Sequence, residues 1–348
     1  MLVSSAILMS LPASAVRAAD VVLRETGSTL LYPLFQSWMA DYAQVAPQVS
    51  ISARATGSGA GISGAMDGTA QIGTSDAYMS DQEAEQNPQI INIPLAISAQ
   101  TVNYNVPGLN GAGIKLNGPT LAGIYFGRIT EWDAPAIAAM NPGLRLPHQR
   151  IVPIRRADAS GDSFIFTQLL DFSTQEWEDR IGYGTSVPWP SVDGERTASG
   201  NAAMVQALAS TPYSIAYVGV SFRGAIARAA LGTAPLENQS GRFLLPTPAT
   251  ISAAASMLDG RTPPDERLSL VFAPGAQSYP LINYEYALVS THQPDAATAA
   301  ALRGFLLWAI SINGGNAQNQ LNAVGFIALP DFIRGMSEQQ IGLIGTRR

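Results

Sequence analysis

One local construction recurs along this chain: a short apolar segment of β character, a turn rich in glycine, serine and threonine, and then an amphipathic run. Val21 to Leu23 reads as a strand, and Gly27-Ser28-Thr29 opens a helix with Leu31, Leu34, Phe35, Trp38 and Met39 at helical spacing. Val49 to Ala53 alternates like a second strand, and Gly57-Ser58-Gly59-Ala60-Gly61 leads into another helical stretch. Gln71 to Gly73 ends at Thr74-Ser75-Asp76. Val152 to Ile154 runs into Arg155-Arg156-Ala157-Asp158-Ala159-Ser160-Gly161-Asp162, after which Phe164, Phe166, Leu169 and Leu170 begin a helix. Strands alternating with helices predict α/β architecture with largely parallel sheets. Each turn ends at a helix N-terminus, where several N–H donors lack intrahelical partners and the dipole is positive, so each is a ready anion site.

At 348 residues the chain is long enough for two such domains with separate cores. Hydrophobic residues make up 47% and charged residues 13%, which predicts an ordered globular chain. A net charge of −6, with Lys115 the only lysine, excludes a nucleic-acid partner, which would require a basic footprint. Any anion must then be held by backbone N–H groups, hydroxyls and one or two arginines, because the overall field repels it. The absence of cysteine excludes disulfides, thiolate metal sites, cysteine nucleophiles and an N-terminal lipid-modified cysteine. The apolar run Met1 to Leu11, then Pro12 and the small residues Ala13 to Ala19, reads as a signal peptide over 1–19, although no Lys or Arg precedes it. A short buried helix is the alternative. No later stretch reaches the roughly 20 apolar residues of a membrane span.

Two strand-like segments, Ile93 to Val106 and Leu281 to Val289, have the character of crossovers between lobes. They predict a first lobe from 20–102, a second from 103–278 and a return to the first over 279–348.

Most catalytic patterns fail here. Gly59-Ala60-Gly61-Ile62-Ser63-Gly64 satisfies the dinucleotide fingerprint G-x-G-x-x-G, a weak signal when it stands alone. His148 and His292 are the only histidines and lie in polar, proline-flanked segments, which disfavours a Ser-His-Asp assembly. The single lysine is outside any glycine-rich turn, so there is no Walker pattern, and the carboxylates lack metal-ligand spacing.

The sharpest constellation is Arg156-x-Asp158-x-Ser160-Gly161-Asp162-Ser163. Arginine offers a planar fork suited to an oxyanion, Asp158 can hold that fork, and the Ser-Gly turn brings hydroxyl and backbone donors to a helix start. A capped helix with a solvated Arg-Asp pair fits the same residues. Together with Gly27-Ser28-Thr29-Leu30, Gly57-Ser58-Gly59-Ala60-Gly61 and Gly73-Thr74-Ser75-Asp76-Ala77, this segment resembles, in order and spacing, the ligand-binding segments of the phosphate-binding protein family of bacterial phosphate-specific ABC transporters, the PstS family. Ser98-Ala99-Gln100-x-Val102-Asn103-Tyr104-Asn105, Thr130-Glu131-Trp132-Asp133, Ser240-Gly241-x-Phe243-Leu244-Leu245-Pro246 and Ile282-Asn283-Tyr284-Glu285-Tyr286-Ala287 extend the likeness, especially to the family's actinobacterial branch.

The resemblance implies a two-lobed periplasmic binding protein of type II, each lobe a mixed sheet flanked by helices, with the ligand in the interlobe cleft. It implies a monomer without enzymatic activity or cofactor, whose partners are inorganic phosphate and the permease subunits of an ABC importer. Thr29 should give its hydroxyl, Leu30 its N–H, and Ser58 both; Asp76 should accept the proton of hydrogen phosphate. Arg156, oriented by Asp158, should bind two oxygens, while Ser160, Gly161 and Asp162 present donors at the helix start. Asp76 also suits the chemistry, because fully ionised sulfate has no proton to give a buried carboxylate. An N-cap for a helix starting near Met79 is its structural alternative. Asp162 stands where the family commonly has threonine; its carboxylate is expected to cap its own helix, to pair with Arg155, or to require a further proton at the ligand. Two other readings stand beside this one: a secreted phosphatase or related hydrolase on the same scaffold, and a binder of another tetrahedral oxyanion.

Overall fold

A computed structural model of the protein describes residues 21–258 and 260–346; the signal segment expected over 1–19 lies outside them. In chain order come β1 (Val21–Gly27), α1 (Tyr32–Val45), β2 (Val49–Ser52), α2 (Ser58–Met66), β3 (Ile72–Ser75), α3 (Asp81–Gln86) and β4 (Ile90–Asn105). There follow α4 (Gly118–Tyr125), α5 (Pro135–Met140), β5 (Val152–Arg156), α6 (Gly161–Ser173), α7 (Gln175–Arg180), β6 (Arg196–Ala198), α8 (Gly200–Ala209) and β7 (Ser214–Gly219). After the short strands β8 (Gly232–Thr233), β9 (Leu236–Glu237) and β10 (Phe243–Leu244) the chain returns through β11 (Ile282–Ser290).

The main sheet has the order β2-β1-β3-β11-β4-β7-β5-β6, with β8 added on β4. At one end β1 is parallel to β2 and β3, and at the other β5 is parallel to β6 and β7. Between them run β11 and β4, antiparallel to each other and to their outer neighbours. β4 changes partner midway: Ile90 to Ala99 pair with β11, whereas Gln100 to Asn105 pair with β7. Both expected crossover segments are therefore strands of the middle of the sheet. They are buried on both faces, which is why they carry almost uninterrupted apolar runs.

Each end of the sheet has its own aromatic packing. Phe35, Trp38 and Tyr42 of α1 meet Phe305 and Trp308 of the helix Ala296–Ile310 with ring centroids 5.2–6.4 Å apart. Around β5 and β7, Tyr125, Phe166, Trp177, Trp189 and Tyr217 pack together, Phe166 stacking on Tyr217 at 4.5 Å. Full burial of an aromatic of this size contributes about 1.5–3 kcal/mol. Among the described residues no helix is long and apolar enough to cross a membrane.

α1 begins at Tyr32, three residues later than Thr29, because Ser28 bends the entry: its hydroxyl accepts the Leu31 N–H at 2.9 Å and Pro33 occupies the first turn. Residues 29–31 form the turn itself, leaving the Leu30 N–H outside the helical ladder.

Candidate functional site

All of the predicted site residues gather at the carboxyl ends of β1, β3 and β5, where the two halves of the sheet meet. Cross-contacts tie the halves: Gly59 donates its N–H to the Ala159 carbonyl at 3.0 Å, and the Ser221 hydroxyl donates to the Leu30 carbonyl at 2.8 Å. A Cβ on Gly161 would stand 2.5 Å from both Asp76 Oδ2 and Ser58 Oγ, so glycine alone allows the start of α6 to lie against those two groups. Thr29, Leu30, Ser58, Asp76, Arg156, Ser160 and Asp162 are all buried.

Arg156 is fixed by carboxylates. Its Nε donates to Asp158 Oδ1 at 2.7 Å, Nη2 donates to Asp158 Oδ2, and Nη1 donates to Asp162 Oδ2 at 2.6 Å. A guanidinium has five N–H bonds, so two remain, one on each terminal nitrogen. Burial opposes the charge on Arg156, but Asp158 and Asp162 hold its pKa above the ordinary value. Burial likewise works to raise the Asp158 carboxyl, and Arg156 with the Gly200 N–H outweighs it and holds the group below its usual range. The pairing of Arg156 with Asp158 is the one the sequence indicated, and it is buried rather than solvated on the Arg156 side.

The hydroxyls are arranged so that their protons remain available. Thr29 Oγ1 accepts from the side chain of Asn201 at 2.9 Å, Ser58 Oγ accepts from the Asp76 N–H at 3.1 Å, and Ser160 Oγ accepts from the Ser163 N–H at 3.4 Å. Each still has an O–H to give. Among the described residues the N–H groups of Leu30, Ser58, Gly161 and Asp162 meet no protein acceptor, as the geometry of turns and helix starts dictates.

Asp76 does not cap a helix. α3 starts at Asp81 behind Ser80, which forms a full capping box with Glu83, and Asp76 instead closes β3. Its Oδ1 accepts the Ser28 hydroxyl. Burial foremost, and the charge of Asp162 next, push its pKa up; Glu285, Ser28 and Arg156 work the other way.

Asp162 neither caps α6 nor pairs with Arg155. Ser160 supplies the cap, and Arg155 is already engaged with Glu195 at 2.9 Å on the outer side of the strand. Alternation along β5 places Arg155 and Arg156 on opposite faces, so only Arg156 can reach α6 from within. The Asp162 carboxylate takes three inward donors: Arg156 Nη1, Asn201 Nδ2 at 2.6 Å and Gln100 Nε2 at 3.1 Å. Burial raises its pKa against those donors.

Four participants had been given no role in the sequence reading. Ser28 sits inside the quoted turn. Asn201 bridges the halves, donating to Thr29 and Asp162 while its Oδ1 accepts the Gly219 N–H at 2.8 Å; it follows β6 in one more strand-turn-helix unit, Ser199-Gly200-Asn201. Gln100 and Glu285 are polar residues within the buried crossover strands, and that mismatch was their available signal. His148 is exposed and pairs with Asp133, and His292 is exposed.

A family model described as the PBP superfamily domain matches residues 13–313, which places the chain among the binding-protein folds. A phosphate-binding protein PstS of Methanocaldococcus jannaschii is 30% identical, over 96% of this chain and 89% of that protein. Another PstS, from Xylella fastidiosa, is 32% identical over 92% of this chain and 84% of its own length. The chain belongs to the PstS family of phosphate-binding proteins within that superfamily. In fold it matches a phosphate binding protein from Stenotrophomonas maltophilia with a TM-score of 0.70 at 19% identity, covering 91% of this chain and 93% of that one. A high affinity periplasmic phosphate-binding protein solved with bound phosphate gives a TM-score of 0.70 at 19% identity, covering 94% and 99%.

Proposed function

We propose that this protein captures inorganic phosphate between the two halves of its sheet, outside the cytoplasm, and delivers it to the permease of an ABC importer. The observation that carries this reading is the pattern of hydrogen-bonding groups. Three hydroxyls, four backbone N–H groups and two guanidinium N–H bonds are left without a protein acceptor where the two halves of the sheet meet, and Asp76 Oδ2 is the carboxylate oxygen that stands with Ser58 Oγ at the start of α6. An excess of donors with one acceptor is the complement of an oxyanion that keeps one proton, as hydrogen phosphate does near neutral pH. Thr29, Leu30, Ser58, Asp76, Arg156, Ser160, Gly161 and Asp162 are the proposed phosphate contacts, with Asp158 orienting Arg156.

No histidine neighbours the serines here, since both are exposed elsewhere, so the arrangement favours holding an anion over hydrolysing an ester. Delivery as a monomer to a permease, and export by the segment 1–19, complete the proposal. The test is calorimetry of protein stripped by unfolding and refolding. Phosphate should bind at least 100-fold more tightly than sulfate, and Asp76→Asn, which can donate to a fully ionised oxyanion, should narrow that gap. Equal binding of the two anions by the wild-type protein would refute the reading.

A further inference from the structure

Glu285 is completely buried on β11, beside Asp76 and without contact to the predicted anion donors. It stands at an irregularity of the ladder. Glu285 pairs with Ala96 and Tyr286 with Pro94, so β4 carries one residue more than β11 at this point. Such bulges re-aim side chains and recur beside functional sites. Asn283, on the same face of β11, has its amide 3.5 Å from the Asp76 carbonyl, and because Tyr286 pairs with Ser75 of β3, the next residue, Glu285, stands opposite Asp76 across that pair of strands.

The donors around Glu285 are unevenly divided. Oε1 accepts the Ser98 hydroxyl at 2.6 Å and the Asn283 amide at 3.0 Å. Oε2 is buried and meets neither an N–H nor an O–H. Two adjacent buried carboxylates would repel each other strongly, and burial with the Asp76 charge drives the Glu285 carboxyl well above its ordinary range. We propose that Glu285 is held protonated on Oε2 and donates that hydrogen to Asp76, making it the positioning residue that keeps Asp76 an ionised acceptor facing the anion. Asp76 would then receive one O–H from Ser28 and one from Glu285, leaving a lone pair for the proton of the ligand. The other charges facing this pair are Arg156 from β5 and Asp162 from α6. Glu25 of β1 stands one step behind, accepting from Thr74.

This inference rests on the phosphate reading, so one measurement is independent of phosphate. An infrared difference spectrum between wild type and Glu285→Gln at pH 7 should show a protonated-carboxyl C=O band in the wild type that the variant lacks; its absence overturns the proposal whatever the ligand. With inorganic phosphate in calorimetry, Glu285→Gln, whose amide can still donate to Asp76, should keep the wild-type dissociation constant within about threefold from pH 6 to 9. Glu285→Ala removes the donor, so Asp76 takes up a proton itself. Its phosphate affinity should fall at least tenfold at pH 7 and recover as pH rises toward 9. A folded Glu285→Ala with the wild-type affinity and pH profile would overturn the proposal, as would a Glu285→Gln as weak as Glu285→Ala. Failure of the wild type to bind phosphate would instead sink the functional reading and leave the infrared result standing.

Discussion

Replacing Arg156 tests how much of the anion's binding energy comes from a charged donor and how much from neutral ones. Three of its five N–H bonds go to Asp158 and Asp162, so the guanidinium presents two to a ligand. Hydrogen bonds to charged groups contribute about 1.5–3 kcal/mol each, so losing both should cost about 3–6 kcal/mol, or roughly 10²–10⁴ in affinity. Arg156→Ala also strands Asp162, whose side chain is only 1% exposed, and a buried pair broken on one side destabilises the fold by about 3–5 kcal/mol. Arg156→Lys is therefore the sharper probe. An ammonium has three N–H bonds; with two committed to Asp158 and Asp162, one remains for the anion. Loss of a single charged hydrogen bond, about 1.5–3 kcal/mol, predicts roughly 10- to 150-fold weaker phosphate binding for lysine. Titration calorimetry on stripped protein, with circular dichroism to certify folding, should give the order wild type, lysine, alanine. Binding by folded Arg156→Ala within about threefold of the wild type would refute the assignment of the fork to the anion.

Two further substitutions separate electrostatics at the site from electrostatics of the scaffold. Asp162→Thr removes the charge that ranks next after burial in raising Asp76, so Asp76 should stay ionised to lower pH and the acid limb of phosphate affinity should shift downward. Superimposable affinity profiles from pH 5 to 9 would show that Asp162 does not act on Asp76. Glu266, buried with Ser337 as its side-chain donor, is pushed up to about 8, mainly by burial. The folded state thus keeps a proton that the unfolded chain loses near 4.5, so stability falls as pH rises from there to about 8. Glu266→Gln should abolish that fall, raising stability by about 2–4 kcal/mol at pH 8 and little at pH 5. An equal change in Tm at both pH values would count against this account.

What could be read from the sequence was what is local. Gly57 to Gly61 and Ser160 to Ser163 declare a turn and a helix start within a handful of residues, and the structure puts α2 and α6 there. Asp158 lies two residues from Arg156 on the same strand end, so their pairing was also legible. The partners of Asn201 were not, because Thr29 is 172 positions away and the two are brought together only by the packing of one half of the sheet on the other. Gln100, 62 positions before Asp162, is hidden for the same reason. Glu285 comes beside Asp76 because β11 pairs with β3, where Tyr286 faces Ser75, and a pairing between such distant segments leaves no local signal. The capping and Arg155-pairing alternatives for Asp162 went astray on a simpler point. A carboxylate at the second position of a helix usually finds that helix's own N–H groups, but here Ser160 takes the cap and a buried guanidinium outcompetes the rest.

Counting charge at the site exposes the physical problem it solves. Asp76, Asp158 and Asp162 face a single guanidinium, in a chain whose net charge is −6. With all three ionised, the local sum is −2 before any anion arrives. Attraction between net charges therefore cannot hold the ligand; neutral donors must. The turn into α1 and the starts of α2 and α6 converge there, and each helix N-terminus acts as roughly half a positive charge delivered through N–H groups that need no counterion. Hydrogen-bond donors of this kind are directional, whereas a cluster of lysines would attract any anion of the right sign. The surplus negative charge sharpens the same distinction. An anion that satisfies the donors but brings no proton to Asp76 meets uncompensated repulsion in a desolvated site, while one that brings it converts the closest carboxylate from an opponent into a partner. Discrimination by charge alone is impossible between two dianions, so the acidity of this site is what turns one hydrogen atom into a selective difference.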